Sequence, residues 1–344
     1  MATPEKDTPE KDFADRLIEQ TRAHGTPLCA GIDPHLDLIP GLFRRGSMEP
    51  THPDTTEAVR DFCYELLPRL KGQVGVIKPQ SAFFERLGPA GMTLLAELGR
   101  EAMAMDMLVV MDAKRGDIGS TSAAYASAFL GHDAGFPSDA LTINPFLGLD
   151  TLEPFIKAAD ATASGLFVLV RTSNPGSADI QMLETADGRP VYEKLAEGLH
   201  PLMEARIGKC GFSSIGVVAG ATWPEEAAAL RRLLPGALFL VPGFGAQGGG
   251  REEALAGFVD GPEGPEGGIV NSSRGIIFPG AAGEAGDFSA WRQAIDRAVN
   301  LSVSQLRPYL VVSSPVLALA LKASPRTDDR NITPVSSLSD PTAM

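Results

Sequence analysis

The sequence predicts an α/β protein built as a single (β/α)8 TIM barrel, and three observations carry that expectation. Eight short apolar runs each end in Gly, Pro or a polar residue. An amphipathic helical stretch usually follows each run. Over 344 residues no break in composition marks a linker. Strands alternating with helices over this length point to a parallel sheet, and eight such units to a closed barrel. An open doubly wound sheet is the alternative.

Residues 3–12 are Thr-Pro-Glu-Lys-Asp written twice, so 1–12 reads as a low-complexity, disordered lead-in. A helical stretch follows over 13–23. The expected strands are 27–32, 74–77, 107–111, 140–143, 165–170, 214–219, 237–241 and 268–270. Helical patterns fall at 57–70, 90–104, 121–130, 152–161, 191–207, 224–234, 251–258 and 288–307. The barrel is therefore expected over 13–310. Residues 311–344, rich in Ser, Pro, Thr and Asp, read as a disordered C-terminal tail with a short apolar contact near 316–321.

Bulk properties narrow the function. A hydrophobic content of 44% suits a substantial core, and a formal charge of −13 argues against nucleic-acid or anionic-membrane partners. An anionic ligand would need local basic residues to overcome that field. Cys29, Cys63 and Cys210 are odd in number and far apart, which is neither a disulfide framework nor a metal-ligand spacing. The N-terminus lacks a signal-peptide layout and no apolar run is long enough to span a bilayer, so the expected location is cytoplasmic.

In a barrel, function collects where the strands end. The first run is followed by Asp33-Pro34-His35 and the second by Lys78 in Val76-Ile77-Lys78-Pro79-Gln80. The third delivers Asp112, Lys114 and Asp117, the fourth Asn144, and the fifth Arg171-Thr172-Ser173-Asn174-Pro175-Gly176. Asp112 and Lys114 are two apart on a strand, so they leave its end on one side. A carboxylate or ammonium buried alone is costly, which makes this acid–base–acid cluster interdependent.

The seventh run leads into Pro242-Gly243-Phe244-Gly245-Ala246-Gln247-Gly248, and the eighth into Asn271-Ser272-Ser273-Arg274-Gly275. Glycines admit an anion close to backbone amides, a helix start near Arg251 adds a favourable dipole, and the Arg274 fork suits phosphate oxygens. Gly243, Gly245 and Gly248 also satisfy G-x-G-x-x-G. That pattern comes late in the chain and is followed by a turn-rich stretch with no strand ending in a ribose-binding acid, so a dinucleotide site is rejected. The five histidines show no metal spacing. His35 alone lies near a strand end, and Trp223 reads as a packing residue.

Together these residues resemble the orotidine 5′-monophosphate decarboxylase family. The signature is Asp112-x-Lys114-x-x-Asp117-Ile118-x-x-Thr121, and its wording is similar to the longer bacterial subgroup called type 2. Gly31-Ile32-Asp33-Pro34, Val76-Ile77-Lys78-Pro79, Ser173-Asn174-Pro175-Gly176, Pro242-Gly243-Phe244-Gly245-Ala246-Gln247 and Ser273-Arg274-Gly275 match the family's other stations in order. The resemblance covers roughly 13–299. It implies a homodimeric barrel that uses no cofactor and no metal and acts on orotidine 5′-monophosphate.

By that resemblance Lys114 protonates C6 of the pyrimidine as carbon dioxide leaves, with Asp112 beside the departing carboxylate. Asp117, Ile118 and Thr121 come from the neighbouring subunit. Asp33 and Lys78 hold the ribose, Ser173 meets the pyrimidine, and Pro242, Gln247, Ser273 and Arg274 form the phosphate end. Two rivals remain. One is a magnesium-dependent sugar-phosphate decarboxylase or hexulose-phosphate synthase, which shares Asp-x-Lys-x-x-Asp but needs an acid where this chain has Lys78. The other is a non-catalytic phosphosugar-binding barrel, which leaves the Asp112–Lys114–Asp117 cluster without purpose. Arg115 reads as a surface or interface salt bridge. The stretch 177–190 and the tail have no assigned role.

Overall fold

A computed structural model describes residues 11–245 and 249–307. The expectations for the lead-in at 1–10, for Gln247 and for the tail at 311–344 lie outside the described residues.

The eight expected strands form, and they close. In barrel order they are β1 (Leu28–Ile32), β2 (Val76–Pro79), β3 (Leu108–Arg115), β4 (Ala140–Ile143), β5 (Gly165–Arg171), β6 (Ser213–Ala219), β7 (Ala237–Val241) and β10 (Gly268–Ser272), with β10 pairing back onto β1. Every neighbouring pair is parallel. Nearly every strand residue is buried, which is why the sequence shows continuous apolar runs rather than alternation. The intervening β8 (Val259–Gly261) and β9 (Gly264–Glu266) are a short antiparallel hairpin outside the barrel.

The nine expected helices form, and four short ones that the sequence did not signal join them (α3, α7, α11 and α12): α1 (Phe13–His24), α2 (Pro53–Leu70), α3 (Ser81–Glu85), α4 (Gly88–Ala104), α5 (Gly119–Leu130), α6 (Glu153–Thr162), α7 (Ala178–Gln181), α8 (Val191–Glu204), α9 (Pro224–Leu233), α10 (Arg251–Leu255), α11 (Arg274–Ile277), α12 (Gly280–Gly283) and α13 (Phe288–Leu306). Their starts have local causes. Asp12 caps α1 by accepting the Asp15 amide at 2.9 Å, and Asp287 caps α13 through the Ala290 amide at 2.8 Å. Helix α10 stops at Leu255, short of the expected 258. The Gly257 carbonyl is taken by Arg231 Nε at 2.7 Å, and the chain then turns into the hairpin.

Two apolar clusters build the core. One fills the space between the strands and the outer helices. The other lies inside the barrel and is closed from below by α1, where Phe13 meets Phe167 edge-on at 5.9 Å between ring centres. This plug leaves only the ends of the strands, on the opposite side, open for chemistry. All three cysteines are free thiols, and burial pushes Cys29 and Cys63 up to about 12. Among the described residues no helix is long and apolar enough to cross a membrane.

Candidate active site

A cavity of about 1190 Å³ opens at the C-terminal ends of the strands. Its wall includes Asp33, Lys78, Asp112, Lys114, Ser173, Pro242, Ser273 and Arg274, contributed by segments distributed around the whole barrel. Asn144 and Asn271 join them. Of the other expected residues that are described, Asp117, Ile118 and Thr121 do not line this cavity. They lie at the start of α5 on the outside, with Ile118 63% exposed. His35 does not line the cavity either. It packs on Phe83, ring centres 4.3 Å apart.

Asp112 is the centre of the site. Its Oδ2 accepts from Lys78 Nζ at 2.7 Å and from Gln80 Nε2 at 3.1 Å. Its Oδ1 accepts from Thr142 Oγ1 at 3.0 Å and from Lys114 Nζ. Four donors saturate a carboxylate, so Asp112 can take no further partner without losing one. Burial alone would raise its pKa, but the Lys78 and Lys114 ammonium groups outweigh this and hold it well below the usual carboxylate range. Burial likewise would lower Lys78, and the charges of Asp112 and Asp33 reverse that, raising it above the usual lysine value. Both groups are therefore charged at neutral pH.

Lys114 reaches Asp112 by a route that strand alternation does not supply. The register between β3 and β4 shifts between Met111 and Arg115, and Lys114 sits in the left-handed region at φ 48°. A non-glycine residue there costs on the order of 1 kcal/mol or more. The Thr142 hydroxyl helps hold the bulge by accepting the Lys114 amide at 2.9 Å. The result is a lysine whose side chain is 44% exposed on the cavity wall yet whose ammonium is tied to a buried acid. Strained backbone of this kind collects where geometry matters more than stability.

On the far side of the cavity, Arg274 opens α11, is exposed, and forms no ion pair among the described residues. Ser273, just before it, packs tightly against β1. A Cβ on Gly31 would lie 1.9 Å from Ser273 Oγ, so only glycine lets the two strands meet there. After β7 the Gly245 amide donates to the Gly249 carbonyl at 2.9 Å. Two buried acceptors on the wall, Asp33 Oδ1 and Asn271 Oδ1, lack a donor among the described residues.

Three residues that matter here were not singled out from the sequence. Gln80 and Thr142 complete the Asp112 network, and Asn271 supplies an acceptor at the end of β10. Gln80 carried a usable signal, since it lies two residues beyond Lys78. Thr142 was the one polar residue inside an apolar run. Arg115 pairs with Glu85 and lies over Tyr125, 5.6 Å from the ring centre, away from the cavity.

Comparison with known proteins agrees with this geometry. Residues 26–286 match the Orotidine 5′-phosphate decarboxylase / HUMPS family. The orotidine 5′-phosphate decarboxylase of Rhodopirellula baltica is 40% identical over 300 residues, covering 85% of this chain and 98% of that protein. The protein of the same name from Myxococcus xanthus is 39% identical, covering 84% and 94%. The structure of Leishmania donovani OMP decarboxylase superposes with a TM-score of 0.61 at 33% identity, covering 84% of this chain and 98% of that one. With the family match spanning most of the barrel and eight of the expected site residues meeting at one cavity, the chain belongs to the orotidine 5′-phosphate decarboxylase / HUMPS family.

Proposed function

We propose that this chain converts orotidine 5′-monophosphate to uridine 5′-monophosphate, the decarboxylation of pyrimidine synthesis, with Lys114 as proton donor and without a cofactor. The observation that carries this reading is the Lys114 ammonium, fixed by the buried anion Asp112 on the wall of a cavity that also holds Arg274.

The chemistry follows from the charges. As the C6–carboxylate bond breaks, its electron pair stays on C6, where the pyrimidine ring cannot delocalise it. An ammonium already aimed at that carbon favours the charge as it forms, without reorganising solvent. The pair on C6 then takes a proton from Lys114 Nζ, carbon dioxide departs, and the lysine regains its proton from water. Asp112, fully occupied by its four donors, stays anionic and holds the amine in position. Lys78 and the unpaired Asp33 Oδ1 suit the ribose hydroxyls, Ser173 the pyrimidine, and Pro242, Gln247, Ser273 and Arg274 the phosphate end. Phosphate binding remote from the reacting carbon supplies energy for orienting the ring.

A homodimer with shared sites fits the placement of Asp117, Ile118 and Thr121. These side chains do not line their own cavity, and next to them Leu147 is 54% exposed and Phe146, on the cavity rim, 74% exposed. The two loops abut, the Asn144 amide donating to the Arg115 carbonyl at 2.8 Å. Such a patch marks an interaction surface, and a second copy would bring its acid to Lys114. The catalytic unit is then 13–310, the 112–121 wording supports the type 2 subgroup, and three free thiols suit the cytoplasm. Lys78 speaks against the magnesium-dependent sugar-phosphate reading, because a buried ammonium beside Asp112 is an unfavourable neighbour for a divalent cation.

The test is loss of orotidine 5′-monophosphate followed by its ultraviolet absorbance, with and without chelator. Turnover that survives chelation supports the reading, and a magnesium requirement would reverse it. Mixed Lys114→Ala and Asp117→Ala chains should recover part of the activity, since a hybrid dimer keeps one complete site. Stable hybrids with no activity would sink the shared site.

A further inference from the structure

Strand β5 ends on an arginine for which the reaction has no use. Arg171 is 2% exposed and does not line the cavity. Stability is a poor reason to keep it there, because buried ion pairs often exchange for apolar residues at no loss. Its pairing is also imperfect: Nη2 reaches Glu226 at 3.3 Å, and Nε has no partner among the described residues.

What the guanidinium does is gather one loop. Nη1 donates to the Ser177 hydroxyl at the far end of 172–177, and the plane lies over the Trp223 ring, 4.2 Å from its centre. Trp223 then holds the near end, its Nε1 donating to the Thr172 carbonyl at 2.9 Å. The adjacent Thr222 hydroxyl donates to the Ser173 carbonyl at 3.0 Å. Gly220 lets the loop lie directly on the backbone, since a Cβ there would come within 2.7 Å of Ser173 Cα. From the other side Gln181 grips Thr172 twice, at 3.0 Å each. The carbonyls of 172 and 173 are thus committed, while Ser173 Oγ makes no hydrogen bond among the described residues and lies on the cavity wall.

We propose that Arg171 is a positioning residue for base recognition: stacked on Trp223 and bonded to Ser177 and Glu226, it fixes the 172–177 loop so that Ser173 is presented to the pyrimidine. This deepens the reading given above and rests on Ser173 meeting the base. A lysine cannot replace the arginine, because it lacks both the fork and the plane that stacks.

The experiment compares two competitive inhibitors of decarboxylation, uridine 5′-monophosphate and ribose 5-phosphate, which share the phosphate and the sugar and differ in the base. In Arg171→Lys the nucleotide should weaken about tenfold, with a matching fall in kcat/KM, as expected for a contact moved by a fraction of an ångström. Ribose 5-phosphate should hold to within about twofold, because its grip lies on the other side of the barrel. Trp223→Phe, which keeps a ring but loses the N–H, should shift the same ratio by about threefold. Equal loss for both ligands, or loss for neither, overturns the proposal. If Arg171→Lys does not fold, Trp223→Phe decides by the same ratio. Ser173→Ala tests the underlying reading separately: a neutral result there removes Ser173 from the base, while the inhibitor ratio of the Arg171 variant still decides the arginine's role.

Discussion

The two ends of the barrel each hold a cation, half-buried at one and buried at the other, and they satisfy it in opposite ways. At the closed end Arg231 donates to the carbonyls of Gly257, Ala237, Pro235, Leu234 and Gly267, at 2.7 to 3.3 Å, and lies 4.1 Å from the centre of the Phe239 ring. Only neutral groups surround it. Burial pushes its pKa down to about 10, which still leaves it charged in the cell. At the open end Lys78 is held by a carboxylate, and a second amine shares that carboxylate from the cavity side. Carbonyls tie a cation to the backbone and leave nothing over. A shared acid leaves the more exposed amine, Lys114, open to the cavity. The first arrangement holds the chain together, and the second is the one proposed to serve the reaction.

This contrast can be broken or sharpened by substitution. The largest effect should come from Lys114→Ala, with turnover down by at least about a thousandfold while uridine 5′-monophosphate still binds. Near-native turnover in that variant would falsify the proton-donor role. Next is Asp112→Ala, which strands Lys78 in the interior and should cost on the order of 3–5 kcal/mol in a denaturant melt. Activity should go with it. Arg231→Met should do the reverse, lowering stability by roughly 1–3 kcal/mol as carbonyls lose their donor, with kcat retained. A large fall in kcat there would mean that the two ends are not separable.

The smallest effect is in pH. Asp112 is depressed, so the stability it contributes is present above its ordinary value of 3.8 and is lost as pH falls toward its folded value. Lys78 is raised, so its contribution is complete below its ordinary value of 10.5 and fades only as pH rises beyond that. Unfolding free energies measured from pH 3 to 9 should therefore decline at the acid end alone on account of this pair. A decline between pH 7 and 9 that disappears in Lys78→Met would contradict it.

The barrel was legible because a fully buried parallel strand writes itself as an apolar run. Boundaries slipped where polar residues finish a strand: β2 continues through Lys78 and Pro79, and β10 through Asn271 and Ser272. The hairpin of Val259–Gly261 and Gly264–Glu266 read as turns because Gly and Pro sit in its strands. In the site, charged residues announced themselves, and neutral partners such as Gln80 and Thr142 did not. The left-handed Lys114 could not be foreseen, since no local propensity favours a lysine there. Arg171 was visible only as one polar residue among several after β5. Its burial depends on Trp223 and Glu226, which lie far along the chain.

Gly31 has a wider consequence. It sits at the seam where the first and last barrel strands join, beside Lys78 in register and against Ser273, one residue before Arg274, the arginine proposed for the phosphate. Joining strands so distant in sequence closes the largest loop in the chain, which makes the seam a natural place for local opening. A nucleotide held as proposed, by Lys78 on one side and Arg274 on the other, would span it like a clasp. Occupancy should then slow amide exchange along β1 and β10 more than in the rest of the barrel, so that substrate itself keeps the cylinder shut.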